Sequence, residues 1–405
     1  MKLYWLLGGT YLSNCMAASL PPHPETDITA TPNNSTSNEQ KPAAKPSGGS
    51  LISQQNAPIG LVRLSHNSIQ NATTYEYDKS AGEGITVYVL DGGIWHSHKE
   101  FEGRATFGKK FNEDPGTEDY DGHGTHIAGI IGGVTFGVAK KVKIISVKLD
   151  NNATQMMQAA DFVLEDVKKR QIQGKAVVSM SMHQRASDEL DKKFRELTEA
   201  GVVCVVSAGN NGADAGKFSP GRDPSVITVA AIDAKNDITW EHSNYGAAVD
   251  IWAHGVLVKS ASGANDASRI DSGTSQATPQ VAGLAAYIMA LEGITKPKEV
   301  ADRLKLLAKQ SGATAWWMNE PKTTTLIASN GADKIPLKNT KPPKIPWSWG
   351  SFRCLFRASD EYCGTSTYCD AFKQGSERNR SRFFRDEQEC LSAHEPKPPS
   401  PAGAS

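Results

Sequence analysis

Residues 175–210 read KAVVSMSMHQRASDELDKKFRELTEAGVVCVVSAGN. The opening KAVVSMSM and the closing VVCVVSAGN are apolar runs of strand length. Between them, SDELDKKFRELTEAG has the apolar spacing of a helix, opened by Ser187 and closed by Gly201. Strand, helix, strand in this order predicts parallel neighbours joined by a covering helix.

The same alternation continues outward on both sides. GITVYVLDGG, VKIISVKLD, SVITVAAID and AVDIWA read as further strands. GHGTHIAGIIGG and TQMMQAADFVLEDVKKRQ read as helices, the second with a basic end. TSQATPQVAGLAAYIMALEG, from Thr274, is a long apolar helix expected to be buried on most sides. The expected class is α/β: three layers, with a mainly parallel sheet between helices. Ligands bind such sheets at the carboxyl ends of the strands. Asp91, which ends a strand, and Asn210, which follows another, both fall there.

Composition narrows the remainder. The chain has 405 residues, 39% of them hydrophobic, which is enough for a sizeable core. A formal net charge of zero gives no global attraction to nucleic acid or to a membrane surface. The start, MKLYWLLGGTYLSNCMAA, has a basic residue, an apolar run and then small residues, the layout of a secretory signal spanning 1–17 and cut after Ala17. The run is too short to span a bilayer. Residues 18–50 are rich in Pro, Ser, Thr and Asn and are expected to be disordered. Residues 51–332 hold the alternating elements, 333–350 form a Pro- and Lys-rich linker, and 393–405 form a disordered tail.

Residues 351–392 carry Cys354, Cys363, Cys369 and Cys390. In a secreted segment these read as two disulfides, with three pairings open, and a zinc site as the rival. The aromatic residues around them, such as Trp347, Trp349 and Phe352, suit the core of a small stapled module or a stacking surface. Cys204, inside an apolar strand, reads as a small buried hydrophobe. Sequons at Asn33, Asn34, Asn71, Asn152 and Asn379 fit surface loops of a secreted protein.

Hydrolysis of an amide needs a nucleophile, a base and a group to orient the base, together with donors for the oxyanion. Asp91 ends the strand VYVLD, His123 in DGHGTHIAG opens a helix between two glycines, and Ser275 in SGTSQATP begins the long helix. Asn210 in SAGNNG carries an amide suited to an oxyanion. Taken singly, these are a turn residue, a structural histidine, a helix cap and a turn residue. Taken together, they stand in the order Asp, His, Ser, which belongs to subtilisin and not to chymotrypsin or the α/β-hydrolases.

With these motifs, the chain from about Gln55 to Asn330 resembles the subtilisin-like serine proteases, in their proteinase K-like branch. VYVLDGGI, GHGTHIAG, FGVAKK, SAGNNGADAGKFSP, SNYGAAVDI and SGTSQATPQVAGLAAYIM carry the resemblance in order and spacing. It implies that Asp91 orients His123, that His123 serves as base and then acid, and that Ser275 attacks. Asn210 and the Ser275 backbone N–H would form the oxyanion hole. His126 would be structural. Ser181, Met182 and His183 on one side, and Ser207, Ala208 and Gly209 on the other, would bind substrate. Asp250 with the carbonyls of Pro224 and Val226 would hold a structural calcium. Polypeptides would be the substrates of a secreted monomer.

The sequence also departs from the family pattern. Gln276 and Gln280 stand where Met and His are usual, which removes an oxidisable thioether. SMSMHQRA replaces a Ser-Leu-Gly-Gly segment, so His183 and Gln184 occupy glycine positions where backbone would approach closely. The loop after SVKLD is shortened, and only the polar segment 18–50 stands where relatives carry a folded pro-domain. Two functions therefore compete: an active endopeptidase of unusual specificity, and a pseudo-enzyme that binds a partner through a closed cleft. A lipase or esterase is a weaker third, because the residue order is wrong for that fold.

Overall fold

The computed structural model describes residues 51–333 apart from 70, 265 and 317–321. The expected signal, the segment 18–50, the linker, the Cys-rich module and the tail lie outside the described residues.

Eight strands form one sheet: β1 (Thr86–Asp91), β2 (Ala105–Lys110), β3 (Lys143–Lys148), β4 (Ala176–Met180), β5 (Val202–Ser207), β6 (Ile227–Asp233), β7 (Ile238–Thr239) and β8 (Ile251–His254). Their order is β7-β6-β5-β4-β1-β3-β2, with β8 also paired to β6. Every pairing is parallel except the short β6–β7 return. The helices of ten or more residues are α1 (His123–Gly132), α2 (Ala153–Arg170), α3 (Asp188–Glu199), α4 (Thr274–Glu292) and α5 (Pro297–Ser311), and a shorter one spans Ile59–Ser65.

Strand side chains alternate between faces, and two of the three core clusters lie one on each face of the sheet. Val87 and Val89 of β1, with Val203 and Val205 of β5, meet Ile127 and Ile131 of α1, Val281 and Leu284 of α4, and Leu304 of α5. Tyr88 and Leu90, with Cys204 and Val206, meet Met156, Val163 and Val167 of α2 and Leu190, Phe194 and Leu197 of α3. The sheet is therefore covered on both sides, which is why its strands read as unbroken apolar runs rather than alternating ones. Cys204 is 1% exposed in the second layer, and burial pushes its thiol up.

The helix ends follow from local chemistry. Asn152 Oδ1 accepts from Thr154 N and Gln155 N at the start of α2, whose last turn carries Lys168, Lys169 and Arg170 against the dipole. Ser187 Oγ caps α3 by accepting from Leu190 N, and Asp188, Glu189 and Asp191 load its first turn. The long helix α4 is buried almost throughout, as its sequence predicts. Outside the sheet, Leu51–Gln54 pairs with Tyr75–Asp78, and Val258–Ala261 with Ser268–Asp271. Among the described residues no helix is long and apolar enough to cross a membrane.

Candidate active site

Strand parity places Asp91. It continues the set of Val87 and Val89, and so faces the layer that holds α1 and α4. The residue is 2% exposed, a costly position for a carboxylate without a partner. His123, the first residue of α1, supplies that partner: its Nδ1–H donates to Asp91 Oδ1 at 2.8 Å. Gly92 N donates to the same oxygen at 2.8 Å. Gly124 makes the approach possible, since a Cβ there would stand 2.0 Å from Gly93 O.

The mouth of α1 is fixed by a residue the sequence reading missed. Asp119 Oδ1 accepts from Gly122 N at 2.8 Å, and Oδ2 accepts from Thr125 N at 2.7 Å. An aspartate just ahead of a helix start was the available signal. Burial by itself would lower the His123 imidazole. The charge and hydrogen bond of Asp91, with Asp271 beyond, outweigh it and raise the group from 6.5 to about 9. The side chain remains 24% exposed, so Nε2 has access to the cleft.

Ser275 lies in the first turn of α4, which packs against α1. Its Oγ donates to Ser181 O at 3.2 Å, and Ser181 Oγ donates back to Ser275 O at 2.9 Å. The Asp91–His123 half of the constellation is thus bonded, while the Ser275 hydroxyl is engaged by the end of β4 rather than by the imidazole. Asn210, after β5, accepts at Oδ1 from Thr274 N at 2.9 Å and from Thr274 Oγ1 at 2.7 Å. A backbone N–H can only donate, so the oxygen is the bound end and Nδ2 is the free end. That Nδ2 lies beside the Gly273 turn, 3.2 Å from where a Gly273 Cβ would be.

Gln276, Gln280 and His126 are buried side chains of the two helices. Gln276 is 1% exposed, and its Oε1 is tucked against Gly273. Gln280 Nε2 donates to His254 O at 2.6 Å beneath α4. His126 Nε2–H donates to Val258 O at 3.1 Å; burial lowers the ring to about 4, which keeps it neutral and structural.

The expected substrate segments stand on either side of Ser275, at the ends of the adjacent strands β4 and β5. Ser181, Ser207, Ala208 and Gly209 are buried. Met182 turns down against the α2–α3 core. His183 turns the other way. Its ring lies over Gly209, where a Cβ would be 3.0 Å from Cε1. Gln184 Nε2 donates to Asn151 O at 2.9 Å and to Asn151 Oδ1 at 2.8 Å, across the end of β1 to the loop after β3.

Residues 82–333 match the sequence model of the subtilase family, peptidase S8. The chain belongs to the subtilase family. It is 41% identical over 290 residues to subtilisin-like protease 2 of Pseudogymnoascus destructans, covering 71% of each chain. It is 43% identical over 287 residues to the cuticle-degrading protease of Metarhizium anisopliae, covering 70% of this chain and 72% of that one. The structure is similar to that of a cold adapted subtilisin-like serine proteinase, with a TM-score of 0.62 and 31% identity over 69% of this chain and 100% of that chain. The resemblance and the fold read from the sequence are therefore shown, and the chain is a member of a serine protease family.

The calcium set implied for this subtilase comes together only in part. Pro224, Val226 and Asp250 line one cavity, and Lys305 lines it with them. Asp250 Oδ2 accepts from Thr228 N at 2.9 Å, and Oδ1 is 2.6 Å from Lys305 Nζ. An ammonium group thus holds the place where a metal ion would meet the carboxylate. Lys305 therefore competes with any cation for the Asp250 carboxylate. Lys305 was not legible as a partner, because it stands far along the chain on α5.

Proposed function

We propose that this subtilase is a secreted serine endopeptidase, acting as a monomer on polypeptide substrates through Asp91, His123 and Ser275. The observation that carries the reading is the Asp91–His123 hydrogen bond of 2.8 Å at the mouth of α1, beside the first turn of α4 that presents Ser275.

In this mechanism the Ser275 hydroxyl turns from Ser181 O to His123 Nε2, which must be neutral to accept its proton. Oγ attacks the substrate carbonyl carbon. The carbonyl oxygen becomes an oxyanion, held by Asn210 Nδ2 and the Ser275 N–H at the helix mouth. Asp91 keeps Nδ1 protonated and stabilises the imidazolium. The imidazolium gives its proton to the leaving amine as the C–N bond breaks, which leaves an acyl-serine. Water, deprotonated by His123, then attacks the acyl carbon and releases the acid and the Ser275 hydroxyl.

The pseudo-enzyme remains the second reading, because Ser275 Oγ is engaged by Ser181 O and the His183 ring occupies the adjacent slot. A covalent fluorophosphonate probe separates the two. The peptidase labels at Ser275, and it cleaves denatured casein while Ser275→Ala does not. A folded, monodisperse chain that neither labels nor cleaves would overturn the peptidase reading. Extracellular location is tested separately, by finding a mature N-terminus that follows Ala17.

A further inference from the structure

The carbonyl attacked by Ser275 belongs to a residue whose side chain must leave the cleft floor close to Ser275. Two chain segments border that place. Ser181 is joined to Ser275 by reciprocal hydrogen bonds, and Gly209 N donates to Thr274 Oγ1 at 3.2 Å. Residues 181–184 and 207–210 thus leave the carboxyl ends of neighbouring parallel strands beside the nucleophile, the place where a substrate side chain would enter.

His183 stands there. A Cβ on Gly209 would meet its Cε1 at 3.0 Å and its Nε2 at 3.1 Å, so the ring rests on the opposite wall. Contacts of the ring and of the adjoining backbone keep it there. Nε2 bonds Asn211 Oδ1 at 3.0 Å, and the ring meets Phe218 edge-on, with centroids 5.0 Å apart. The next two residues, Gln184 and Arg185, pair antiparallel with Ser219 and Phe218. The Gln184 side chain is tied to Asn151. Asn211 is itself held, since its N–H donates to Asn244 Oδ1 at 3.0 Å. The opposite wall is held as well: Gly209 N donates to Thr274 Oγ1 at 3.2 Å, and Asn244 N donates to Gly209 O at 2.8 Å.

We infer that His183 is a specificity-determining residue, a fixed plug that restricts cleavage to bonds preceded by a small side chain such as alanine, serine or glycine. The inference rests on the peptidase reading above. Burial also lowers the His183 imidazole, with the Asn211 hydrogen bond acting against it. A larger residue must displace a ring held by Asn211 and Phe218 on a backbone anchored through Gln184 and Arg185, whereas a methyl group need not.

The test uses the secreted full-length chain and peptidyl p-nitroanilides that differ only in the residue before the scissile bond: alanine, leucine or phenylalanine. The expected kcat/KM for phenylalanine is about 100-fold or more below that for alanine, the scale on which pockets reject an oversized side chain. His183→Gly is expected to raise the phenylalanine-to-alanine ratio by at least about tenfold. Cleavage sites in denatured casein, mapped by mass spectrometry for the unaltered chain, give a readout that does not depend on the variant folding. Cleavage after phenylalanine as readily as after alanine overturns the plug while leaving the peptidase intact. Failure to hydrolyse any of the three anilides, or to label at Ser275, removes the peptidase reading and the inference together.

Discussion

Lys305 Nζ lies 2.6 Å from Asp250 Oδ1, so a side chain of α5 supplies the positive charge beside the carboxylate that precedes β8. Lys305 is 41% exposed and Asp250 23%, so the pair contributes no more than about 1 kcal/mol. The melting temperature should therefore be the same in EDTA and in millimolar calcium. Lys305→Ala should cost little in EDTA and gain a calcium-dependent increase in melting temperature. A drop of several degrees for the unaltered chain in EDTA would show that the lysine does not replace the ion.

His123, raised to about 9, sets the pH dependence. A base must be neutral, so kcat/KM should climb with pH and level only near pH 9. A plateau already reached at pH 7 would contradict this. Stability should run the opposite way. The folded state binds this proton more tightly than the unfolded chain, whose histidine titrates near 6.5. The contribution is complete below pH 6.5 and is lost as pH rises through 9. Thermal unfolding of Ser275→Ala, which cannot digest itself, should show a melting temperature that falls across this window.

Asn210→Ala should lower kcat by about 100- to 1000-fold with little change in KM, the signature of a lost oxyanion donor. Thr274→Val removes the hydroxyl that donates to Asn210 Oδ1 at 2.7 Å and should cause a smaller fall in the same parameter. Steady-state kinetics on one anilide compares both variants. A change confined to KM would assign the amide to substrate binding instead.

Gly124→Ala should destabilise the fold by about 1–3 kcal/mol, since its methyl carbon would land 2.0 Å from Gly93 O and the turn after β1 must move. The same shift separates Asp91 from His123, so activity should fall more than the folded fraction does. Urea unfolding and probe labelling of the folded protein measure the two effects. An alanine variant with normal stability would mean that the β1 turn is softer than its contacts suggest.

The layered sheet was legible because β1, β4, β5 and β6 are apolar on both faces and α3 is opened by Ser187. Strand β2 was not, since its burial is uneven and it lies at the sheet edge. The pairing of Leu51–Gln54 with Tyr75–Asp78 depends on partners more than twenty residues apart. In the site, Asp91, His123, Ser275 and Asn210 announce themselves as polar groups at strand ends and helix mouths. The groups that hold them do not. Thr274 gripping Asn210, Asn211 and Phe218 fixing His183, and Lys305 reaching Asp250 are meetings across the tertiary structure, and no local spacing encodes them.

Cys204 lies in the central part of β5, sealed between the sheet and α3. A bulky maleimide can reach this sulfur only when the strand and its covering helix come apart. Peptide mapping of its alkylation over time would therefore clock the rare openings of the protein's interior, without any introduced label.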